Sequence, residues 1–202
     1  MQNKYLIKFS KRFWFWFWQK LMNGFAPSDI QGNYKRPEGI LIDKTYDFQS
    51  NTEKTYLLVG NSCPWCHRTL LVYKLKQLSR QVKVIFLEAD INCGQWIFNE
   101  KFEGCKTLHQ FYKKAQKHNL FRSTLPLLFN LQNNQIKILS NESSEIVKYL
   151  NSIKVDSSQK ALQISKCDQD LLEIIHSDIN NGVYKCGFAR NQISYEEASK
   201  NL

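Results

Sequence analysis

The sequence lacks any run of the roughly 18 apolar residues that a membrane-spanning helix needs. It also lacks the dense cysteines of a secreted disulfide framework, because its six cysteines in 202 residues are irregularly spaced. Free thiols are typical of a reducing compartment. Lysine, asparagine and isoleucine are abundant, and their codons are A/T-rich. We therefore expect a soluble protein of a plastid stroma or a bacterial cytoplasm.

A continuous basic stripe is missing as well. The formal net charge is +10, but the lysines are scattered along the chain, so nucleic acid is not an expected partner. Scattered basic charge favours anionic partners more generally. The length predicts one domain with an appendage, or two small domains.

The chain has one Cys-x-x-Cys motif and no second close pair. A zinc site of this type needs a second pair of cysteines roughly 15–20 residues further on. Cys93 and Cys105 stand too far apart to supply that pair, so no metal ligand is predicted. Cys63 and Cys66 are then either a structural pair of buried thiols or a redox pair. The sequence around them favours redox chemistry.

The motif lies between a predicted strand and a predicted helix. An apolar run of strand length ends at Val59, and apolar residues recur at helical spacing from Leu71 to about Leu78. A helix N-terminus offers unpaired N–H groups and partial positive charge, which lower the pKa of a cysteine there. We expect Cys63 to be a solvent-facing nucleophile. Cys66, one turn further, is expected to be more covered and able to close a disulfide with it.

The first 25 residues combine cations with a run of rings. Phenylalanine and tryptophan alternate from Phe13 to Trp18, after three lysines and one arginine. The run is short and has no small-residue cleavage site, unlike a signal peptide. Two interpretations remain: an arm whose rings pack on the fold, which we favour, and an interfacial membrane anchor. Residues 1–42 are predicted to form this arm and an extended linker.

Beyond the motif, hydrophobic periodicity predicts three more strands and two more helices before a polar linker. The strands lie near residues 82–87, 123–129 and 135–139, and the helices near 106–118 and 141–150. Residues 88–104 are predicted to be irregular. The order β-α-β-α-β-β-α, with Cys-x-x-Cys at the first helix, is the thioredoxin pattern. The fold class is α/β, with a thioredoxin-like domain over 43–152 and a partial all-helical region over 153–202.

Two further positions suit a thiol-transfer site. Pro126 opens a strand and is predicted to be cis beside the nucleophile, as in thioredoxin-like folds; the alternative is an ordinary strand-opening proline. Residues 141–145 open a helix, and capping alone would explain their serines. The same N–H groups and hydroxyl would also bind a carboxylate, while Glu142 pairs with an ammonium group. That combination suits the γ-glutamyl end of glutathione.

Five segments in one order carry a family resemblance. They are Cys63–Thr69, Gln95–Phe98, Arg122–Leu128, Asn141–Ile146 and Ile179–Lys185. Together they look like the glutathionyl-hydroquinone reductases, the Xi class of glutathione transferases, from about residue 33 onward. The resemblance implies that Cys63 is the nucleophile and that glutathione is the cosubstrate. The expected glutathione-binding residues are Pro64, Trp65, Trp96, Arg122, Leu125, Pro126, Glu142 and Ser143.

The resemblance also implies an acceptor pocket lined by Tyr184. Two features differ from the family pattern. Cys66 stands where many members have alanine, which raises the alternative of a dithiol step. The family also has a long C-terminal helical domain, of which only the first part is present here.

The sequence thus predicts a glutathione-dependent thiol transferase or reductase. Cys63 would take glutathione from a glutathionyl hydroquinone or a mixed disulfide, and a second glutathione or Cys66 would release it. The alternatives are a glutaredoxin-like dithiol oxidoreductase that uses Cys63 and Cys66, and a non-catalytic glutathione-fold binding module. Expected partners are glutathione and glutathionylated small molecules. A peripheral membrane contact through residues 13–18 and a homodimer are further alternatives.

Overall fold

The computed structural model describes residues 2–41, 54–115, 123–155, 162–163 and 165–202. The chain divides into two compact units, one formed by Gly39–Leu162 and the other by Met1–Glu38 together with Gln163–Leu202. The helices of the described part are α1 (Gln2–Phe25), α2 (Pro64–Leu75), α3 (Leu108–Ala115), α4 (Ser143–Ser152), α5 (Lys166–Ile174), α6 (Gly182–Gly187) and α7 (Gln192–Asn201). Its strands are β1 (Lys54–Gly60), β2 (Val82–Asp90), β3 (Gln95–Phe102), β4 (Cys105–Thr107), β5 (Leu127–Gln132) and β6 (Gln135–Ser140).

The described strands of the unit Gly39–Leu162 form one mixed sheet. Their spatial order is β4-β3-β2-β1-β5-β6. β1 and β2 are parallel, with Leu57 opposite Val84, and the other neighbouring strands are antiparallel. The central strands β1 and β5 are buried at consecutive positions, as expected when both faces of a sheet are covered. This arrangement confirms the predicted α/β, thioredoxin-like fold.

The prediction of an irregular stretch over residues 88–104 is wrong. β2 continues to Asp90, a turn with Gly94 in the left-handed region (φ 63°) follows, and β3 then pairs back on β2. The strand was missed because polar and charged residues occupy half of β3, from Gln95 to Lys101. Its pairing with β2 is a tertiary effect, with Trp96 opposite Ala89.

Three helices in the described part of this unit accompany the sheet. α2 packs on α4, and α3 contacts β3, β4 and β6. α2 ends at Leu75 rather than near Leu78, because Gln77 adopts a left-handed conformation (φ 54°) that a helix cannot continue through. A short 3₁₀ turn, Leu78–Arg80, then leads into β2.

A cluster of rings fixes the centre of the sheet. Phe129 of β5 stacks on Tyr56 of β1 with ring centroids 5.1 Å apart, and Phe111 of α3 meets Phe129 edge-on at 4.8 Å. Phe111 and Phe129 are fully buried. Truncating such a ring to alanine costs about 3–5 kcal/mol of stability in typical cores. β1 is thereby held rigidly, and its C-terminal end carries the Cys-x-x-Cys motif.

The unit that contains the two chain ends is helical in its described part. After α5, a π-helical turn at Ile175–Asn180 leads to α6. The segment after α1 is tied to the residues before α7, because Arg190 Nη2 donates to the carbonyl oxygen of Ala26 at 3.0 Å. The ring centroids of Tyr34 and Phe188 lie 5.2 Å apart in the same region. No helix of the described residues has the length and apolarity needed to cross a membrane.

The rings of α1 do not pack on the fold. The side chains from Phe13 to Trp18 are 45–65% exposed. The favoured interpretation of the aromatic arm is therefore wrong. The physical reason is geometric: consecutive helical residues are rotated by about 100° from one another, so six adjacent rings surround the helix and cannot face one surface.

Candidate active site

Cys63 occupies the N-cap position of α2. Its backbone is extended (φ −96°, ψ 112°), and Pro64 follows as the first helical residue. The carbonyl oxygen of Cys63 accepts hydrogen bonds from the N–H groups of Cys66 and His67, at 3.0 and 3.1 Å. Pro64 suits this position because it has no N–H group of its own that would be left unpaired in the first helical turn. The thiol of Cys63 makes no capping bond, so capping does not occupy its sulfur. The sulfur lies at the positive end of the helix dipole, which favours the thiolate form.

Cys66 stabilises the thiolate of Cys63 through a hydrogen bond. The hydrogen bond from the Cys66 thiol is the largest of the effects that lower the pKa of Cys63 to about 6; burial opposes it, and the N–H groups of Cys66 and Trp65 assist it. The same hydrogen bond, together with burial, raises the pKa of Cys66 far above its ordinary value. Cys66 is fully buried, and its Sγ accepts from the N–H of Gly60 at 3.4 Å. At neutral pH the pair is therefore a thiolate at Cys63 and a thiol at Cys66.

The residue before Pro126 borders the nucleophile. The Leu125–Pro126 peptide bond is cis, as predicted. The Sγ of Cys63 lies 3.7 Å from the carbonyl oxygen of Leu125. Both Leu125 and Pro126 are buried. The structure thus brings two of the predicted sequence segments together at one sulfur atom.

Trp96 reaches the same region from β3. A Cβ atom built on Gly60 would overlap the six-membered ring of Trp96, so the indole lies directly on the Gly60 backbone. Gly60 also accepts from the N–H of Cys63, at 3.1 Å. Sequence reasoning missed Gly60. The available signal was a glycine that ends a buried strand just before the motif, where a close approach is typical.

The N-terminus of α4 carries Glu142 and Ser143. Glu142 is the N-cap residue, and its side chain makes no capping bond. The Ser143 side chain is only 2% exposed, yet its Oγ atom has no hydrogen-bond partner among the described residues. Capping therefore does not account for Ser143. A buried, unpaired hydroxyl at the positive end of a helix fits an anionic ligand group such as the γ-glutamyl carboxylate of glutathione.

The remaining predicted residues are placed as follows. Trp65 is half-buried in the first turn of α2. Arg122 lies outside the described residues. Tyr184 belongs to the helical unit, where its ring stacks on Phe188 at a centroid distance of 6.3 Å. The assignment of Tyr184 to an acceptor pocket stays a prediction.

The sequence around this site is similar to a known domain family and to two named reductases. Residues 62–153 match the glutathione S-transferase N-terminal domain family. Glutathionyl-hydroquinone reductase YqjG of Escherichia coli K12 is 35% identical over 169 residues, which are 76% of this chain and 50% of that protein. The corresponding reductase PcpF of Sphingobium chlorophenolicum is 31% identical over 167 residues, or 75% of this chain and 51% of that protein.

Solved structures show the same relationship. The Xi glutathione S-transferase of Phanerochaete chrysosporium superposes with a TM-score of 0.70 at 27% identity, over 87% of this chain and 62% of that one. The glutathione-bound structure of YqjG gives a TM-score of 0.59 at 32% identity, over 85% of this chain and 62% of that one. The chain spans about half the length of the curated relatives it matches.

Proposed function

We propose that this chain, a homologue of the glutathionyl-hydroquinone reductases and Xi-class glutathione transferases, is a glutathione-dependent thiol transferase or reductase. The observation that carries the proposal is the thiolate of Cys63, whose pKa is lowered to about 6. A cysteine with such a pKa is ionised at neutral pH without a separate base. Its place at the start of α2 favours the thiolate further, because a helix N-terminus stabilises negative charge.

The first step is an attack by Cys63 on the glutathione sulfur of a glutathionyl hydroquinone. A sulfur–sulfur bond forms, and the bond between that sulfur and the aromatic carbon breaks. The electron pair leaves with the aromatic carbon, which takes up a proton and becomes the free hydroquinone. With a mixed disulfide as substrate, the bond that breaks is the disulfide and a thiolate leaves instead. Cys63 is left joined to glutathione in either case.

The second step restores Cys63. The thiolate of a second glutathione attacks the glutathione sulfur, which releases glutathione disulfide and the Cys63 thiolate. With a glutathionyl hydroquinone, the net reaction consumes one free glutathione, whose sulfur joins the sulfur of the substrate's glutathionyl group as glutathione disulfide, and the aromatic ring is reduced by two electrons. With a mixed disulfide, the net reaction is a thiol–disulfide exchange that also consumes one free glutathione. Cys66 could resolve the intermediate instead, but its raised pKa keeps it protonated and makes it the slower nucleophile. This step needs reduced glutathione, which a plastid stroma or a bacterial cytoplasm, the predicted locations, would supply.

Glutathione would be held along the line from α2 to α4. Its γ-glutamyl carboxylate suits the unpaired Ser143 hydroxyl and the first N–H groups of α4. Glu142 would pair with the ammonium group, and the backbone of Leu125 would border the cysteinyl residue beside Cys63. Trp96 would form a wall of the site next to Gly60.

A turnover assay with the full chain tests this proposal. The substrates are a glutathionyl hydroquinone and a glutathionylated small thiol, each with and without free glutathione. We expect turnover that requires glutathione and ceases when it is omitted. Turnover that proceeds with a dithiol reductant alone and ignores glutathione would favour the dithiol oxidoreductase. Glutathione binding without any turnover would favour the non-catalytic module.

A second proposal concerns α1, which we infer to be an interfacial helix for anionic membranes. The observation that favours it is the exposure of every ring from Phe13 to Trp18. At 3.6 residues per turn, Lys8, Lys11 and Arg12 share one side of the helix. Large apolar residues occupy the side opposite these cations, at Leu6, Phe9 and Phe13, and each is more than half exposed. Exposed rings combined with a cluster of cations on one helix are typical of helices that lie in the headgroup region.

Co-sedimentation of the full chain with lipid vesicles tests the membrane contact. We expect binding to vesicles of phosphatidylcholine mixed with phosphatidylglycerol, and much weaker binding to phosphatidylcholine alone, because the basic face adds an electrostatic attraction. Trp14→Ser combined with Trp16→Ser should abolish the binding. Lys8→Glu combined with Lys11→Glu should abolish the preference for anionic lipid.

The matched control reverses two exposed lysines on the sheet. Lys83→Glu combined with Lys101→Glu gives the same change in net charge outside α1 and should leave vesicle binding unchanged. Equal loss of binding in both charge-reversed chains would mean that net charge, not α1, attracts the vesicles. A stable dimer with no vesicle affinity, which the Trp14→Ser and Trp16→Ser changes dissolve, would show instead that a second copy covers the rings.

A further inference from the structure

Asn141 lies at the corner between β6 and α4 and uses both ends of its side-chain amide. Its Oδ1 atom accepts from the backbone N–H of Ile40 at 2.6 Å. Its Nδ2 group donates to Tyr112 Oη and to Thr124 Oγ1, each at 3.2 Å. An amide can make about four such bonds, and three are made here. The side chain is therefore held in one orientation by three separate segments of the chain.

One of these partners, Thr124, is adjacent in sequence to the residue that borders the nucleophile. Thr124 immediately precedes Leu125, whose carbonyl oxygen lies 3.7 Å from the Sγ of Cys63. The carbonyl oxygen of Thr124 also accepts a hydrogen bond from Tyr112 Oη, at 2.9 Å. Tyr112 is almost fully buried in α3. Asn141 thus holds the hydroxyl of Thr124, and Tyr112 holds its carbonyl oxygen. Asn141 also donates to Tyr112, so the three residues form one network.

The other side of Asn141 leads to the helix that would bind glutathione. Glu142 and Ser143 follow it directly, and the backbone N–H of Asn141 donates to the carbonyl oxygen of Ile40 at 3.3 Å. The same carbonyl oxygen accepts from Ser140 Oγ at 2.7 Å. Residues 39–40 are therefore clamped against the start of α4. A Cβ atom on Gly39 would lie 2.9 Å from Glu142 Oε2, so this clamp also limits where the Glu142 carboxylate can go.

We propose that Asn141 is a positioning residue that sets the spacing between the Leu125 segment and the start of α4. The proposal rests on the proposed glutathione site, because the two segments would hold the two ends of one glutathione molecule. Asn141 does not touch the Cys63 sulfur. Its loss should therefore weaken glutathione binding while leaving the intrinsic reactivity of Cys63 intact.

The test combines substitutions at both ends of one hydrogen bond. Asn141→Leu keeps the approximate shape and removes all three bonds. Thr124→Val removes only the hydroxyl that Asn141 contacts, and Thr124→Ser retains a hydroxyl. We expect Asn141→Leu, which loses three hydrogen bonds, to weaken glutathione binding about tenfold or more. Thr124→Val, which loses one, should weaken it by about three- to tenfold, and Thr124→Ser by less than about twofold. In the double variant the two losses should be less than additive.

Two measurements separate positioning from a general loss of structure. The rate at which iodoacetamide alkylates Cys63 does not depend on glutathione binding, and it should match the parent in every variant. Asn151→Leu is the matched control, because Asn151 bonds both backbone groups of Leu162 at the far end of α4. It should lower thermal stability without changing glutathione affinity.

The outcomes are decisive in each direction. If Asn141→Leu does not fold, the comparison of Thr124→Val with Thr124→Ser decides. Equal affinities of those two variants, or slowed alkylation of Cys63 in both the Asn141→Leu and Thr124→Val variants, would overturn the inference while the proposed function stands. A parent chain that binds no glutathione at all would instead overturn the proposed function, and this inference with it.

Discussion

The carbonyl oxygen of Leu125 lies 3.7 Å from the Sγ of Cys63, although the two residues are 62 positions apart in the sequence. The contact follows from strand order. β5 runs antiparallel beside β1, with Leu127 opposite Leu58, so the start of β5 meets the end of β1 where the motif begins. The backbone of Leu125 is therefore within reach of a peptide ligand whose sulfur lies at Cys63.

Replacement of the nucleophile gives the first prediction. Cys63→Ser should abolish thiol transfer, because a serine hydroxyl is not ionised near neutral pH, while the circular dichroism spectrum and melting temperature stay close to the parent. Cys93→Ser is the control. Cys93 is an exposed thiol that donates to Asp90 Oδ2 at 3.0 Å, and that bond raises its pKa. Residual activity of Cys63→Ser within a few-fold of the parent would contradict the assignment.

The pH dependence of Cys63 gives the second prediction. The reactive form is the thiolate, so the alkylation rate of the Cys63 peptide, followed by mass spectrometry, should rise with pH around a midpoint of about 6. In Cys66→Ala the midpoint should move upward, towards the ordinary value of 9.0, because the main cause of the lowered pKa is gone. Cys66→Ser retains an O–H donor and should keep a midpoint near the parent's. Coinciding midpoints in the alanine and serine variants would refute the role of this hydrogen bond.

The start of α4 gives the third prediction. Ser143→Ala should weaken glutathione binding, measured by calorimetry, by about 1–1.5 kcal/mol, since one hydrogen bond to the ligand is lost. The stability cost should be small, because Ser143 Oγ has no partner among the described residues. Glu142→Ala should cost about 1.5–3 kcal/mol of affinity, as for a charged partner. Ser144→Ala, one residue on, is the control; an equal effect there would argue against a specific contact at Ser143.

Gly60 gives the fourth prediction. Gly60→Ala would force the Trp96 ring away from the β1 backbone, because the added methyl group overlaps it. We expect a loss of about 1–3 kcal/mol in the free energy of unfolding, as for other overpacked sites, and a change in tryptophan fluorescence. Gly187→Ala is the control, since a Cβ there has open space around it. Glutathione affinity and stability both equal to the parent's would show that the Trp96 ring is free to move aside.

The strand–motif–helix unit could be predicted because its signals are local. A continuous apolar run, a Cys-x-x-Cys with proline and a helical period follow one another within residues 55–78. β3 could not, because its residues alternate poorly and its pairing with β2 alone defines it. The exposed rings of α1 were misjudged because apolar character was taken as evidence of burial, whereas helical geometry prevents six adjacent rings from sharing one surface.

The glutathione-binding residues that could be proposed from sequence sit in recognisable segments. The network that holds those segments could not be proposed in the same way. Asn141 is hydrogen-bonded to Thr124, 17 positions away in the sequence, and to Tyr112, 29 positions away. The spacing of these residues does not predict either bond. Such bonds depend on the sheet bringing α3, β5 and β6 together, which local patterns do not encode.

The buried hydrophobic cluster has a further consequence, because it lies wholly within Gly39–Leu162. In the described part of the other unit, the buried hydrophobic residues are Ala26 and Tyr34. We therefore expect the two units to unfold in separate transitions, as multi-domain proteins commonly do. A protease added in small amounts would trim the helices that lack a core and spare a fragment that still carries Cys63. Cys63 and the aromatic helix would then be separable by mild proteolysis, so the proposed thiol transfer could be measured on a fragment without α1.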